Sequence, residues 1–158
     1  MPLRNNRGTA MIELIVGAVI LLITIFSVMQ LAFLWAGQGA VETAAHFASR
    51  KFAFQAREDL RLAKASALSE ASLHCRNRPG GSWETAALTS LEFSRNGDVS
   101  AATRAFPGEA YQVRLTHGIE LIVPWIDRIL FLATPVPKIQ LGDKYYLLLR
   151  ATRWVTVE

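Results

Sequence analysis

Residues 14–35 form an apolar run of 22 residues, interrupted only by the mildly polar Thr24, Ser27 and Gln30. As a helix, such a run spans a hydrocarbon core of about 30 Å. Helices satisfy their own backbone polar groups, so a lone apolar segment enters lipid in that form. The run exceeds the h-region of a removable secretory signal, typically about 7–15 residues. Arg4 and Arg7 precede it, and no Lys or Arg follows until Arg50. This asymmetry predicts a single-pass protein with its N-terminus in the cytoplasm and the remainder outside. Trp35 stands where an interfacial aromatic is expected.

The helical pattern continues past the membrane. Val41, Ala45, Ala48, Phe52, Ala56, Leu60, Ala63 and Ala67 recur at steps of three or four, the period of one helix face. The spacing predicts one helix from near Thr9 to about Leu73, roughly 95 Å long. Gly37 and Gly39 mark a soft spot or bend. Arg78-Pro79-Gly80-Gly81 should stop the helix.

After that stop the period becomes two. Between Tyr111 and Trp125 the odd positions are apolar but for His117, which predicts a strand with one buried face. His117-Gly118 suits either a bulge or a tight turn. Residues 126–133 are ambiguous, with a helical turn as one option. Leu141-Gly142-Asp143-Lys144 reads as a turn before a last alternating strand running from Tyr145 to Val157. Leu91-Glu92-Phe93 suggests a short strand, with Asn96-Gly97-Asp98 turning behind it. The expected fold is α+β: a long N-terminal transmembrane-plus-amphipathic helix covers a small, mostly antiparallel sheet. The segments are a leader (1–8), a transmembrane helix (9–36), an amphipathic outer helix (37–78) and a sheet domain (79–158).

The formal charge of +4 is unevenly placed. Between Arg50 and Arg78 seven basic residues meet three acids, Glu58, Asp59 and Glu70. Interrupted in this way, the stretch reads as a solvated helix face and argues against nucleic acid as a partner. Cys75 is the sole cysteine, which excludes an internal disulfide and a thiolate metal cluster. His74-Cys75 reads as a helix end, since adjacent helical residues do not share a face. Asp127, Glu120 and Asp143 form no convincing catalytic pair, and no nucleophile carries a signature. The expectation is no enzyme, no metal and no cofactor. Trp83, Trp125 and Trp154 suit either a sugar-binding platform or core and interface packing.

Glu13 remains. A carboxylate at the mouth of a membrane segment is costly unless paired. Gly8 lies five residues upstream, and a cut there would create a partner, the α-amine of Thr9. The alternative is an interfacial residue in a plain signal anchor.

Gly8, Thr9 and Glu13 stand in the register of the class III signal of type IV pilins and pseudopilins, which they resemble. More narrowly, Arg7-Gly8-Thr9-Ala10-Met11-Ile12-Glu13 resembles the RGxxxxE opening of the TadE-like family, minor pilins of the tight-adherence (Tad/Flp) pilus. Residues 41–54, 113–124 and 142–158 are similar to that family's later helix and strands, while residues 66–106 match nothing in it. Some relatives carry a Cys pair that this chain lacks. The resemblance implies leader removal after Gly8 by a prepilin peptidase, a membrane aspartyl enzyme that usually also methylates the Thr9 amine. It implies pairing of Glu13 with that amine, in its own or a neighbouring subunit, at the base of a filament. It further implies a structural subunit that primes or caps the pilus. Its partners would be other major and minor pilins and the lipid bilayer, with an inner-membrane platform and assembly ATPase acting indirectly. Its place would be the bacterial inner membrane, with the outer domain periplasmic, and the cell surface when part of a pilus.

Overall fold

The computed structural model describes residues 7–77, 82–95, 105–123 and 125–158, with side chains from Ala10 onward apart from that of Trp83. Its helices are α1 (Arg7–Gln55), α2 (Leu60–Arg76), α3 (Trp83–Ala87) and α4 (Ile126–Ala133). The strands are β1 (Ser90–Arg95), β2 (Ala110–Glu120), β3 (Lys138–Leu141) and β4 (Lys144–Thr156). They form one antiparallel sheet in the order β1-β2-β4-β3. The α+β expectation is borne out, with a long apolar helix beside a four-stranded sheet.

The long helix ends earlier than its periodicity predicts. With 49 residues, α1 extends about 74 Å, and the chain then reverses over residues 56–59. Asp59 takes an extended backbone, φ −149° and ψ 114°, and caps α2. Its Oδ1 accepts from the amides of Arg61 (2.8 Å) and Leu62 (3.2 Å), satisfying donors that the first turn leaves free. Helix α2 runs back along α1: Lys51 Nζ meets Glu70 Oε2 at 2.7 Å, and Phe47 stacks on His74 with centroids 4.6 Å apart. The apolar period stays in phase across the reversal because both helices turn their alanines inward. Ala45, Ala48, Ala63, Ala67 and Ala71 are all fully buried. Small side chains let the helices and the sheet approach closely.

Tyr111, Val113 and Leu115 of β2 close the core against this hairpin. Phe52 lies at its centre, stacked on Phe93 at 4.5 Å and edge-on to Tyr111 at 5.3 Å. Helix α1 runs unbroken through Gly37 and Gly39. A Cβ at Gly37 would come within 2.0 Å of Ile119 Cδ1, so this glycine makes room for a β2 side chain against the helix. His117-Gly118 is neither bulge nor turn, since β2 pairs with β4 in register through both positions. Here a Cβ would meet Leu88 Cβ at 2.8 Å, which fits α3 tightly onto the strand. Residues 126–133 settle as α4. The Gly142-Asp143 turn is a two-residue hairpin with Gly142 at φ 59°. The expected turn at Asn96-Gly97-Asp98, the helix stop at Arg78-Pro79-Gly80-Gly81 and the first six residues of the leader lie outside the described residues.

Candidate functional site

The unusual surface of this molecule is the first half of α1. Residues 10–29 stand clear of the domain, all exposed except half-buried Ser27. They include Leu14 (74 % exposed), Ile20 and Leu21 (60 % each), far more contiguous apolar surface than a chain alone in water presents. The hydroxyls within it are satisfied locally, Thr24 donating to the Ile20 carbonyl at 2.8 Å and Ser27 to that of Ile23 at 2.7 Å. Helix α1 is long and apolar enough to cross a membrane.

Glu13 is the only ionisable residue between Gly8 and Val41. It is exposed on this free half, and its carboxylate meets no partner among the described residues. Gly8 and Thr9 fall within the first turns of α1. From Thr9 to Glu13 is four helical residues, so the two positions share a face about 6 Å apart along the axis.

The other end of the free segment is set by Gln30, which is fully buried. Its Oε1 accepts from the backbone amides of Ile122 (3.1 Å) and Val123 (2.9 Å), while Nε2 is buried without a partner. Read as sequence, Gln30 was a mild interruption of a membrane run ending at Trp35. In the structure it is the first residue that the domain covers. The free apolar span is therefore residues 10–29, twenty residues or about 30 Å, which matches a hydrocarbon core. Trp35 lies about 7 Å further along the helix and is 83 % exposed, at the level of an interfacial aromatic.

β2 and β3 both run toward that boundary. Phe52 contacts Tyr111, Gly37 faces Ile119 and Gln30 holds Ile122 and Val123, so the end of β2 lies lowest along α1. There Trp125 takes a left-handed backbone, φ 72°, and begins α4 with its side chain 82 % exposed. Phe131 of α4 packs on Tyr145 at 4.8 Å, and the Lys138 ammonium caps the α4 C-terminus by donating to the Phe131 carbonyl.

On the opposite face of the sheet, Lys144 Nζ binds Glu84 Oε2 at 2.6 Å and Glu120 Oε1 at 3.5 Å. The Tyr146 hydroxyl donates to Glu84 at 2.9 Å. Burial, and then the Glu84 carboxylate, push the Tyr146 phenol up to about 12. This cluster fastens α3 to the sheet. In the same way Glu70 bridges Lys51 and His74 across the helix hairpin, and the hydrogen bond from Lys51 holds its carboxyl below the usual range. His117 is buried, shares a 2.8 Å hydrogen bond with Thr89 Oγ1, and has its pKa pushed down to about 4 by lost hydration.

These are ties between elements, and that of Lys51 and Glu70 lines an open surface hollow with Phe47, Arg50 and Phe54. Among the described residues no group of three or more His, Cys, Asp or Glu side chains is arranged to hold a metal. His74 and Cys75 point apart, His74 to Glu70 and Phe47 and Cys75 into the core. Trp125 and Trp154 are both exposed but stand toward opposite ends of β4, whose residues 146 and 154 are about 27 Å apart. They share no platform. The basic stretch is partly neutralised, with Lys51 paired to Glu70 and Lys64 lying 5.8 Å from the Phe93 ring centre. The hydropathy pattern of the run hides the role of Gln30. Its signal was available: a carboxamide inside an otherwise apolar run needs a buried partner.

Compared with protein-family models, curated proteins and solved structures, the chain finds no match.

Proposed function

We propose that this chain is a non-enzymatic structural subunit of a pilus, a TadE-like minor pilin that primes or caps filament assembly. It waits as a single-pass inner-membrane protein with its sheet domain in the periplasm. One observation carries the reading: a single carboxylate, Glu13, on an exposed apolar helix of membrane-spanning length, five residues after Gly8. A charge so placed is costly in lipid alone. It is offset if cleavage after Gly8 frees an amine at Thr9, one helical turn away on the same face. The exposed side chains of residues 10–29 supply a surface that neighbouring pilin helices can replace lipid on. Prepilin peptidase, a platform protein and an assembly ATPase are the implied partners, since the chain carries no nucleotide-binding motif of its own.

Intact-mass measurement of the membrane-extracted protein, with and without a prepilin peptidase, tests this. The expected product begins at Thr9 and carries a methyl group. A mature N-terminus at Met1 or Pro2 overturns the proposal and favours the rival, a signal-anchored envelope protein whose outer domain binds a partner. Glu13→Ala should impair assembly while leaving insertion and leader removal intact.

A further inference from the structure

We propose that α4 and the turn before it form a second membrane contact, seated in the headgroup–acyl boundary of the bilayer that α1 crosses. Trp125, Ile129 and Leu132 are 82 %, 57 % and 80 % exposed. Ile129 and Leu132, three residues apart, share one stripe of α4, with Trp125 at its N-terminal end; beside the stripe Ile126 is buried, and the far side of the helix half-buries Asp127, Leu130 and Phe131. Exposed alone, such a stripe is unexplained, but its position names the occupant. Gln30 ties the amides of Ile122 and Val123 to the residue at which the twenty-residue free span of α1 ends. Phe131 on Tyr145 and Leu121 N–H on the Tyr145 carbonyl hold α4 at the same end of the sheet. The stripe thus continues the apolar surface of α1 at the level where hydrocarbon gives way to headgroups.

The chemistry of the stripe matches that layer. Tryptophan is enriched at membrane interfaces, and an amphipathic helix lies there with its apolar side buried about 5–10 Å deep. Exposed Arg128 and Lys138 flank the stripe and suit phosphate headgroups. The cluster of Glu84, Glu120 and Lys144 stands at the same end of the sheet but on its other face, with both carboxylates paired to Lys144. Trp125 is directed outward by a left-handed backbone that a bulky residue adopts only when its surroundings enforce it. Gln30 holds the chain just before it, at Ile122 and Val123. Seated in this way, the domain is fixed upright on the membrane with its sheet alongside α1.

The inference rests on the membrane-anchor reading of α1, and the experiment separates the two. The full chain carrying Cys75→Ser is labelled with an environment-sensitive fluorophore at one of three introduced cysteines, Leu132→Cys, Val19→Cys or Trp154→Cys. It is reconstituted into vesicles of zwitterionic and anionic phospholipid bearing bromine at shallow or deep acyl positions. The Leu132 label should be quenched by shallow bromine and spared by deep bromine, the Val19 label quenched by deep bromine, and the Trp154 label quenched by neither. Quenching at Val19 without quenching at Leu132 overturns the interfacial contact and leaves the anchor standing. Loss of quenching at both overturns the anchor as well. A blue-shifted but unquenched Leu132 label whose emission follows the protein-to-lipid ratio assigns the stripe to a second copy of the chain, and also overturns the proposal. Gln30→Leu should weaken shallow quenching at Leu132 while leaving the Val19 signal unchanged, because the turn loses its tether and the anchor does not. An unchanged Leu132 signal in Gln30→Leu overturns the role given to Gln30.

Discussion

The two halves of α1 are both apolar and have opposite surroundings. Residues 10–29 carry mostly Leu, Ile, Val, Met and Phe and are exposed apart from half-buried Ser27, whereas the half beyond Gln30 presents Ala40, Ala44, Ala45, Ala48 and Gly37 to the hairpin and sheet. Hydrophobicity alone does not separate them, but side-chain size does. Close packing against a sheet and a second helix demands small residues along the contact, with one large anchor, Phe52, filling the space that remains. Lipid imposes no such fit, and large aliphatic side chains give it the most apolar surface. Gln30 stands at the seam, polar because two strand-end amides need its carbonyl oxygen.

The sharpest way to break this contrast is to truncate one large residue in each half. Phe52→Ala should remove about 3–5 kcal/mol of domain stability, because the core cannot collapse around the lost ring. Leu21→Ala, on the free half, should change it by less than about 0.5 kcal/mol. Denaturant unfolding of the detergent-solubilised chain, followed by loss of sheet signal, compares the two. Similar losses would mean that the free half is packed against something after all.

Acid sharpens the contrast next, since the docked region carries a buried ionisable group. The unfolded chain protonates His117 near 6.5, while the folded protein resists until about 4. Stability should therefore be full above about pH 6.5 and fall as the pH drops toward 4, by about 3 kcal/mol from this group. His117→Gln should flatten that slope in unfolding measured across pH 4–7. A slope that persists would place the acid sensitivity elsewhere.

The smallest expected effect concerns where the docked half ends. Asp59→Ala removes the acceptor for the Arg61 and Leu62 amides and should cost about 1 kcal/mol. Hydrogen exchange at those two amides should speed up, with protection in the first half of α1 unchanged.

Much of the sheet domain was legible before folding. The alternation from Tyr111 appears as Tyr111, Val113, Leu115, His117 and Ile119 all buried, because one face of a strand must be covered. The Ala-rich period was also right about burial and wrong about topology. An apolar face at helical spacing is the same pattern whether the helix continues or folds back, provided the reversal keeps phase. The clue was Asp59 immediately before Leu60, a cap signal hidden by charged neighbours on both sides. For the candidate site, the sequence singled out Gly8, Thr9 and Glu13 from their register and spacing, with no fold required.

What the sequence by itself determined is therefore local and periodic: an apolar helix of membrane length, a lone carboxylate near its start, and strands with one buried side. These follow from covalent order and from the geometry of a single helix or strand. Tertiary structure alone decided that the helix folds back at Asp59, that Gly37 makes room for Ile119 of β2, and that the free span stops at Gln30. It also brought α4 to the level of that boundary. Each of these depends on residues some 80 to 95 positions apart, or on a hairpin whose partner is chosen by packing, and distance along the chain carries no record of such meetings.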